Sequence, residues 1–181
     1  GRSDYQDKLN RAVQSKRQPG SVFNLFVYTT ALDNGYPVTT QLLNQPVVLN
    51  VRNADGELVK WMPKNYDGST GGLTTFREGI RKSLNFIPVR MVQQDIAPAE
   101  QVKQMAKGLG INTDIWVGDA IALGTSEVYP LEIVSAYSAL ANKGVYSKPF
   151  AITKIEDRYG NVIKEYSPNR KEVMNEETAY L

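Results

Sequence analysis

The sequence contains neither cysteine nor histidine among its 181 residues. The absence of cysteine excludes disulfide bonds, thiol nucleophiles and thiolate metal sites, and it leaves the cellular compartment open. The absence of histidine excludes a Ser-His-Asp triad and removes the commonest protein ligand of metal ions. Acid–base chemistry in this chain therefore depends on lysine, aspartate, glutamate or tyrosine.

Membrane, nucleic-acid and cofactor signals are also missing. No apolar run approaches the roughly 18 residues that a membrane-spanning helix needs, and any targeting or anchoring segment is expected outside this sequence. The 21 basic and 19 acidic residues are well mixed, so no basic stripe predicts binding to nucleic acid. No pattern predicts a metal or an organic cofactor. The 41% of hydrophobic residues is typical of a folded globular domain or a piece of one.

Hydrophobic periodicity predicts an α+β fold that is mostly helical. A largely apolar helix is predicted over 21–32, and it ends at Asp33-Asn34-Gly35. Two hairpins are predicted over 47–62 and 151–166, and both need helices to pack against because isolated two-stranded sheets are marginal. Further helices are predicted from a capping box of Thr75 and Glu78 to Lys82, from Pro88 to about Gln94, within 97–111, within 126–144 and at the start of 175–181.

Ser21 is the first candidate for a reactive side chain. It follows Pro19-Gly20 at the start of the apolar helix. Residues three apart on a helix are neighbours, so residue 24 is expected beside the Ser21 hydroxyl. A serine nucleophile needs a base there, and a desolvated lysine amine can serve. Serine in this position is also a common helix N-cap, so the local sequence leaves nucleophile and cap open.

Ser83 and Asn85 form the second candidate, a Ser-x-Asn triplet just past a predicted helix end. Two such side chains on a loop can project to one side, hand on a proton and orient an amide substrate. The triplet has little weight by itself because it occurs by chance in most chains of this length.

Together these stretches resemble the transpeptidase domain of class A penicillin-binding proteins. The resemblance runs from Asn10 to Tyr166 and rests on four stretches in the family's order: "NRAVQSKRQPGS", "WMPKNYDG", "TTFREGIRKSLN" and "ALGTSEVYPLEIVSAYSALANKG". It implies that residues 1–181 are a partial transpeptidase domain of the penicillin-binding/β-lactamase-like fold. That part is the mostly helical subdomain with small antiparallel hairpins, largely without the central sheet. It also implies an extracytoplasmic protein whose parent is anchored to the membrane by another segment.

The resemblance assigns roles to the candidate residues. It places Ser21 on the acylated serine of a Ser-x-x-Lys motif, and Ser83 and Asn85 on the Ser-x-Asn motif. Proteins of that family attack the D-Ala-D-Ala bond of a peptidoglycan stem peptide and transfer the acyl group to an amine, while β-lactams mimic the donor. The implied partners are therefore the stem peptide and β-lactams, with no cofactor, metal or nucleic acid.

Two departures from the family pattern predict that this chain is inactive or severely impaired. Asn24 occupies the position of the motif lysine, and an amide is not a base near neutral pH. No Lys-Thr-Gly sequence occurs in the 181 residues, although the family draws part of its oxyanion hole from that strand. The alternative is a non-catalytic module that binds peptidoglycan or a partner of the wall machinery. An unrelated helical protein, with Ser21 only as a cap, is the third possibility.

Neighbouring charges and the apolar helix give further expectations. Lys82 is interpreted as a structural or substrate-facing charge rather than a replacement base, Lys64 as a solvated loop charge, and Asp67 as a turn former. Without the central sheet, Phe23, Phe26 and Tyr28 are expected to be exposed. Helix 21–32 is therefore predicted either to mediate self-association or to repack locally.

Overall fold

The computed structural model describes residues 8–52 and 55–181. Its seven helices are α1 (Arg11–Gln14), α2 (Asn24–Asp33), α3 (Phe76–Arg81), α4 (Phe86–Gln93), α5 (Ala99–Gly108), α6 (Pro130–Ala141) and α7 (Glu176–Tyr180). Short 3₁₀ helices lie at Gly20–Phe23, directly before α2, and at Asp119–Leu123. No helix in the described residues is long and apolar enough to cross a membrane.

The strands form four separate antiparallel pairs. They are β1 (Gln41–Leu43), β2 (Leu49–Arg52), β3 (Leu58–Trp61), β4 (Leu73–Thr75), β5 (Val145–Ser147), β6 (Lys154–Glu156), β7 (Val162–Glu165) and β8 (Arg170–Glu172). The pairs are β1–β4, β2–β3, β5–β8 and β6–β7. The predicted α+β class with small antiparallel hairpins is thereby confirmed.

Both predicted hairpins are present. Leu49 pairs with Trp61 in the first hairpin, and Ile155 pairs with Lys164 in the second. Residues 53 and 54, in the turn predicted for the first hairpin, lie outside the described residues. The sequence did not predict β1–β4 and β5–β8, because these three-residue strands pair across long separations and have no strong alternating pattern.

Helix α2 forms the centre of the hydrophobic core. It packs against α3, α4, α5 and α7, and its side chains Phe26, Val27 and Ala31 are 0% exposed. Because these neighbouring helices cover so much of its circumference, α2 can be apolar on most of its sides and still be buried.

The expected exposure of this helix is therefore wrong. Phe23, Phe26 and Tyr28 are only 1%, 0% and 4% exposed, because the other helices of the same chain bury them. The large apolar side chain that does reach solvent is Val22, on the preceding 3₁₀ turn. Self-association through an exposed helix 21–32 consequently loses its structural basis, because packing within this chain already buries the helix.

The start of α3 confirms half of the predicted capping box. The Thr75 side chain accepts a hydrogen bond from the Glu78 backbone N–H at 3.2 Å, as expected of an N-cap. The Glu78 carboxylate instead binds Arg81 at 2.7 Å and Lys82 at 2.8 Å. Helix α3 is thus capped by one side chain while its acidic residue pairs with cations in the following turn.

Candidate active site

Ser21 lies on a tight turn and not at a helix N-cap. It is exposed within the 3₁₀ helix, and its carbonyl accepts a hydrogen bond from the Asn24 backbone N–H. The N-cap residue of α2 is Phe23, and the one before the 3₁₀ helix is Pro19. The interpretation of Ser21 as the N-cap of the apolar helix is therefore wrong, and Ser21 is exposed to solvent.

Two glycines hold this serine turn against a neighbouring loop. The Gly20 N–H donates to the Gly124 carbonyl at 3.3 Å. A Cβ on Gly124 would collide with the Gly20 backbone, and Gly124 has a φ of +61°. Only glycine meets both demands without strain. The "ALGT" stretch that contributes to the family resemblance thus supports the turn that carries Ser21.

Asn24 directly follows the turn that carries Ser21, and it is shielded from solvent. It is 3% exposed, and its Oδ1 has no hydrogen-bond partner among the described residues. The amide oxygen therefore accepts no hydrogen bond from the Ser21 hydroxyl. Most buried polar atoms are satisfied, so the unpaired amide oxygen of Asn24 is an exception to the usual pairing.

Ser83 and Asn85 lie in the connection between α3 and α4, and α2 packs against both of these helices. Ser83 is half-buried with a φ of +53°, an unusual conformation for a residue other than glycine. The Asn85 side chain donates to the Lys64 carbonyl at 2.7 Å. Both predicted motifs are therefore attached to one central helix, with the second held in a specific backbone shape.

A buried asparagine that the sequence analysis did not single out organises this second motif. Asn65 is 4% exposed, and its Oδ1 accepts a hydrogen bond from the Asn85 backbone N–H at 2.7 Å. Its Nδ2 donates to the Asn44 Oδ1 and to the Ser69 carbonyl, both at 2.8 Å. The sequence feature that could have identified Asn65 was its position in the stretch "WMPKNYDG", which lies between the two motifs.

Replacing Asn65 with alanine should reduce the free energy of unfolding by about 1–3 kcal/mol, because it leaves buried partners unpaired. Urea denaturation would measure the loss. Asn50→Ala is the matched control, since Asn50 is exposed on β2, and it should change stability by less than about 0.5 kcal/mol. Equal effects of the two substitutions would show that the Asn65 hydrogen bonds contribute nothing special.

The lysines near the second motif have surface roles. Lys82 is 50% exposed and forms an ion pair with Glu78. Hydrogen bonds from Arg81 and Lys82 lower the pKa of Glu78 to about 2. Lys64 is exposed, as expected of a loop charge. The Lys82 amine is therefore paired with the Glu78 carboxylate.

Asp67 is a turn former, as predicted. Its carboxylate accepts a hydrogen bond from the Ser69 backbone N–H at 2.9 Å, and hydrogen bonding by Ser69 lowers its pKa. A carboxylate with a lowered pKa is a weaker base than an ordinary one.

Tyr28 is a buried phenol on α2. Its hydroxyl is buried without a hydrogen-bond partner in the described residues, and burial raises its pKa far above the ordinary value. Such a phenol stays protonated near neutral pH and cannot accept the proton of a serine. Within the described residues no cluster of acidic side chains could hold a metal ion.

Comparison with known proteins agrees with this architecture. The family profile "Penicillin binding protein transpeptidase domain" matches residues 2–181. Penicillin-binding protein 1A of Pseudomonas aeruginosa is 36% identical over 171 residues, which are 94% of this chain and 20% of that protein. Penicillin-binding protein 1A of Aquifex aeolicus is 35% identical over 176 residues, 96% of this chain and 23% of that protein. The chain thus spans about a fifth to a quarter of the length of these relatives.

Solved structures show the same fold. The crystal structure of penicillin-binding protein 1A from Haemophilus influenzae matches with a TM-score of 0.79 and 30% identity, covering 91% of this chain and 24% of that one. The PonA1 protein from Mycobacterium tuberculosis matches with a TM-score of 0.79 and 24% identity, covering 97% and 48%. Sequence and fold lead to one conclusion: this chain belongs to the family of penicillin-binding protein transpeptidase domains.

Proposed function

We propose that this chain is the part of a peptidoglycan cross-linking protein that carries the candidate nucleophile Ser21. Ser21 in this protein is acylated very slowly or not at all. The observation that carries the proposal is Asn24, which is buried beside the serine turn with an unpaired amide oxygen. The proposed site lies outside the cytoplasmic membrane, and the parent protein is anchored by a segment other than this one.

Acyl transfer requires a proton acceptor at Ser21. The serine oxygen would attack the carbonyl carbon of the D-Ala-D-Ala bond, and the hydroxyl proton must pass to a base as the new bond forms. Asn24 offers only an amide, Lys82 is held in an ion pair and the Tyr28 phenol stays protonated. Loss of a positioned base typically slows such a step by about 10² to 10⁴-fold.

The proposed ligands are the stem peptide and the β-lactams that imitate it. Among structural neighbours, penicillin-binding protein A of Mycobacterium tuberculosis was solved as a penicillin G acyl-enzyme complex, and PonA1 in complex with penicillin V. The exposed Ser21 hydroxyl and the ordered Ser83–Asn85 connection support ligand binding here. Ligand binding is therefore proposed to be retained where acylation is lost.

Labelled penicillin tests the proposal on the full-length protein that contains this sequence. We expect labelling of the native protein to be indistinguishable from that of its Ser21→Ala variant over times in which a lysine-bearing relative is fully labelled. Peptide mass spectrometry locates any adduct. Rapid formation of an adduct on Ser21 would contradict the proposal.

A non-catalytic binding module is the second candidate, and the same buried amide favours it. It predicts that peptidoglycan fragments or wall proteins bind the native chain without a covalent step. Reversible binding of peptidoglycan fragments by the full-length protein, with no adduct on Ser21 even in an Asn24→Lys variant, would support this candidate over the first.

A further inference from the structure

A cavity of about 350 Å³ lies between the β2–β3 hairpin and the 3₁₀ segment that begins at Asp119. Its described lining consists of Val51, Trp61, Trp116, Ala120 and Thr125. Both tryptophans of the chain therefore face one small space. A volume of a few hundred cubic ångströms with aromatic walls is typical of a small-molecule site.

Contacts within the chain hold the backbone at both tryptophans in place. Trp116 is 46% exposed and Trp61 40% exposed. The Trp116 backbone N–H donates to the Ser126 hydroxyl at 3.0 Å. A Cβ on Gly118 would collide with the Trp116 ring, so glycine there lets the indole lie against the main chain. Trp61 occupies the end of β3, paired with Leu49.

The polar groups of the cavity are neutral. No charged side chain belongs to its described lining. Thr125 donates its hydroxyl proton to the Ala120 carbonyl at 3.3 Å, which leaves the hydroxyl oxygen as an acceptor. Neither indole N–H has a hydrogen-bond partner within the described ranges, so both remain available as donors to a ligand. The cavity therefore suits an uncharged ring with apolar faces and a polar rim.

The cavity also adjoins the serine turn. Thr125 follows Gly124, whose carbonyl accepts the Gly20 N–H directly before Ser21. A ligand in this space would lie beside the turn that carries the candidate nucleophile. Pyranose rings have the required chemistry, since their C–H faces pack on indoles while hydroxyl and acetamido groups bind donors and acceptors.

We propose that Trp61 and Trp116 form a binding site for an uncharged N-acetylated hexosamine. The assignment of this sugar to a glycan strand of peptidoglycan rests on the proposed function, whereas the binding itself does not. Sugar binding at this site does not require acylation of Ser21. Failure of the sugar to bind would contradict this inference, whereas rapid acylation of Ser21 by penicillin would contradict the proposed function.

Intrinsic fluorescence reads this site directly because the chain has no tryptophan elsewhere. Titration of the 181-residue chain with tri-N-acetylchitotriose should change the emission saturably, with a dissociation constant on the order of 1 mM. Trp116→Ala should weaken binding about fivefold or more, which is the scale of the loss when an aromatic ring that stacks on a nucleobase is removed. Calorimetry on the full-length protein repeats the measurement without depending on fluorescence.

Matched variants separate the site from general effects. Tyr159→Ala removes an aromatic ring that is 74% exposed on the distant β6–β7 hairpin, and it should leave the dissociation constant unchanged. Failure of the sugar to bind in both measurements would overturn the proposal. So would tighter binding of N-acetylphenylalaninamide than of the sugar, because the cavity would then be selective for apolar side chains.

Discussion

Replacing Asn24 with lysine is expected to raise the rate at which penicillin acylates Ser21 by about 10² to 10⁴-fold. Asn24 is 3% exposed, and burial lowers the pKa of a lysine amine, which makes it a base at neutral pH. The position is three residues after Ser21, where side chains on a helical turn are neighbours. Labelled penicillin on the full-length variant, followed with time, measures the rate.

Asn24→Met is the matched control for this experiment. Methionine approximates the length of lysine without an amine, so it should produce no gain in acylation. A gain with Asn24→Met would mean that side-chain size, and not a base, limits the reaction. A folded Asn24→Lys variant that stays unlabelled would show that the remainder of the pocket is also unsuited to acylation.

Replacing Phe26 with alanine is expected to lower the free energy of unfolding by about 3–5 kcal/mol. The side chain is 0% exposed, its ring lies 4.6 Å from that of Phe23, and α2 is surrounded by helices that cannot collapse fully into the space. A loss of this size is a large fraction of the roughly 5–15 kcal/mol that stabilises a typical domain. Urea denaturation of the 181-residue chain measures it.

Val22→Ala provides the comparison, because Val22 is 43% exposed on the turn before the same helix. It should cost less than about 1 kcal/mol. Similar losses for both variants would indicate that Phe26 is not buried in solution, and would revive the expectation that this helix is exposed.

Elements with local signals were predictable from the sequence. Helix α6 was anticipated because an early proline, an apolar stripe and a terminal glycine lie within 126–144. The hairpin of β6 and β7 followed from alternation around Gly160-Asn161. In contrast, the paired residues of β1 and β4 are about 30 positions apart in the sequence, and a three-residue strand has too few alternations to be distinguished from a loop.

The candidate residues could be named from the sequence, whereas their supports could not. Ser21, Asn24, Ser83 and Asn85 follow from motif spacing and the family resemblance, and their roles stay predictions. The role of Asn65 depends on three segments that meet only in the folded chain. Helix 21–32 is buried, contrary to expectation, because α4 and α5 of the same chain cover it without the central sheet.

Each strand in the described part of the chain has a single neighbour. About half of the main-chain donors and acceptors along these strands consequently have no partner in another strand of the described residues. Cohesion in the described part of the chain therefore depends chiefly on the side chains that pack around α2, and not on a continuous sheet.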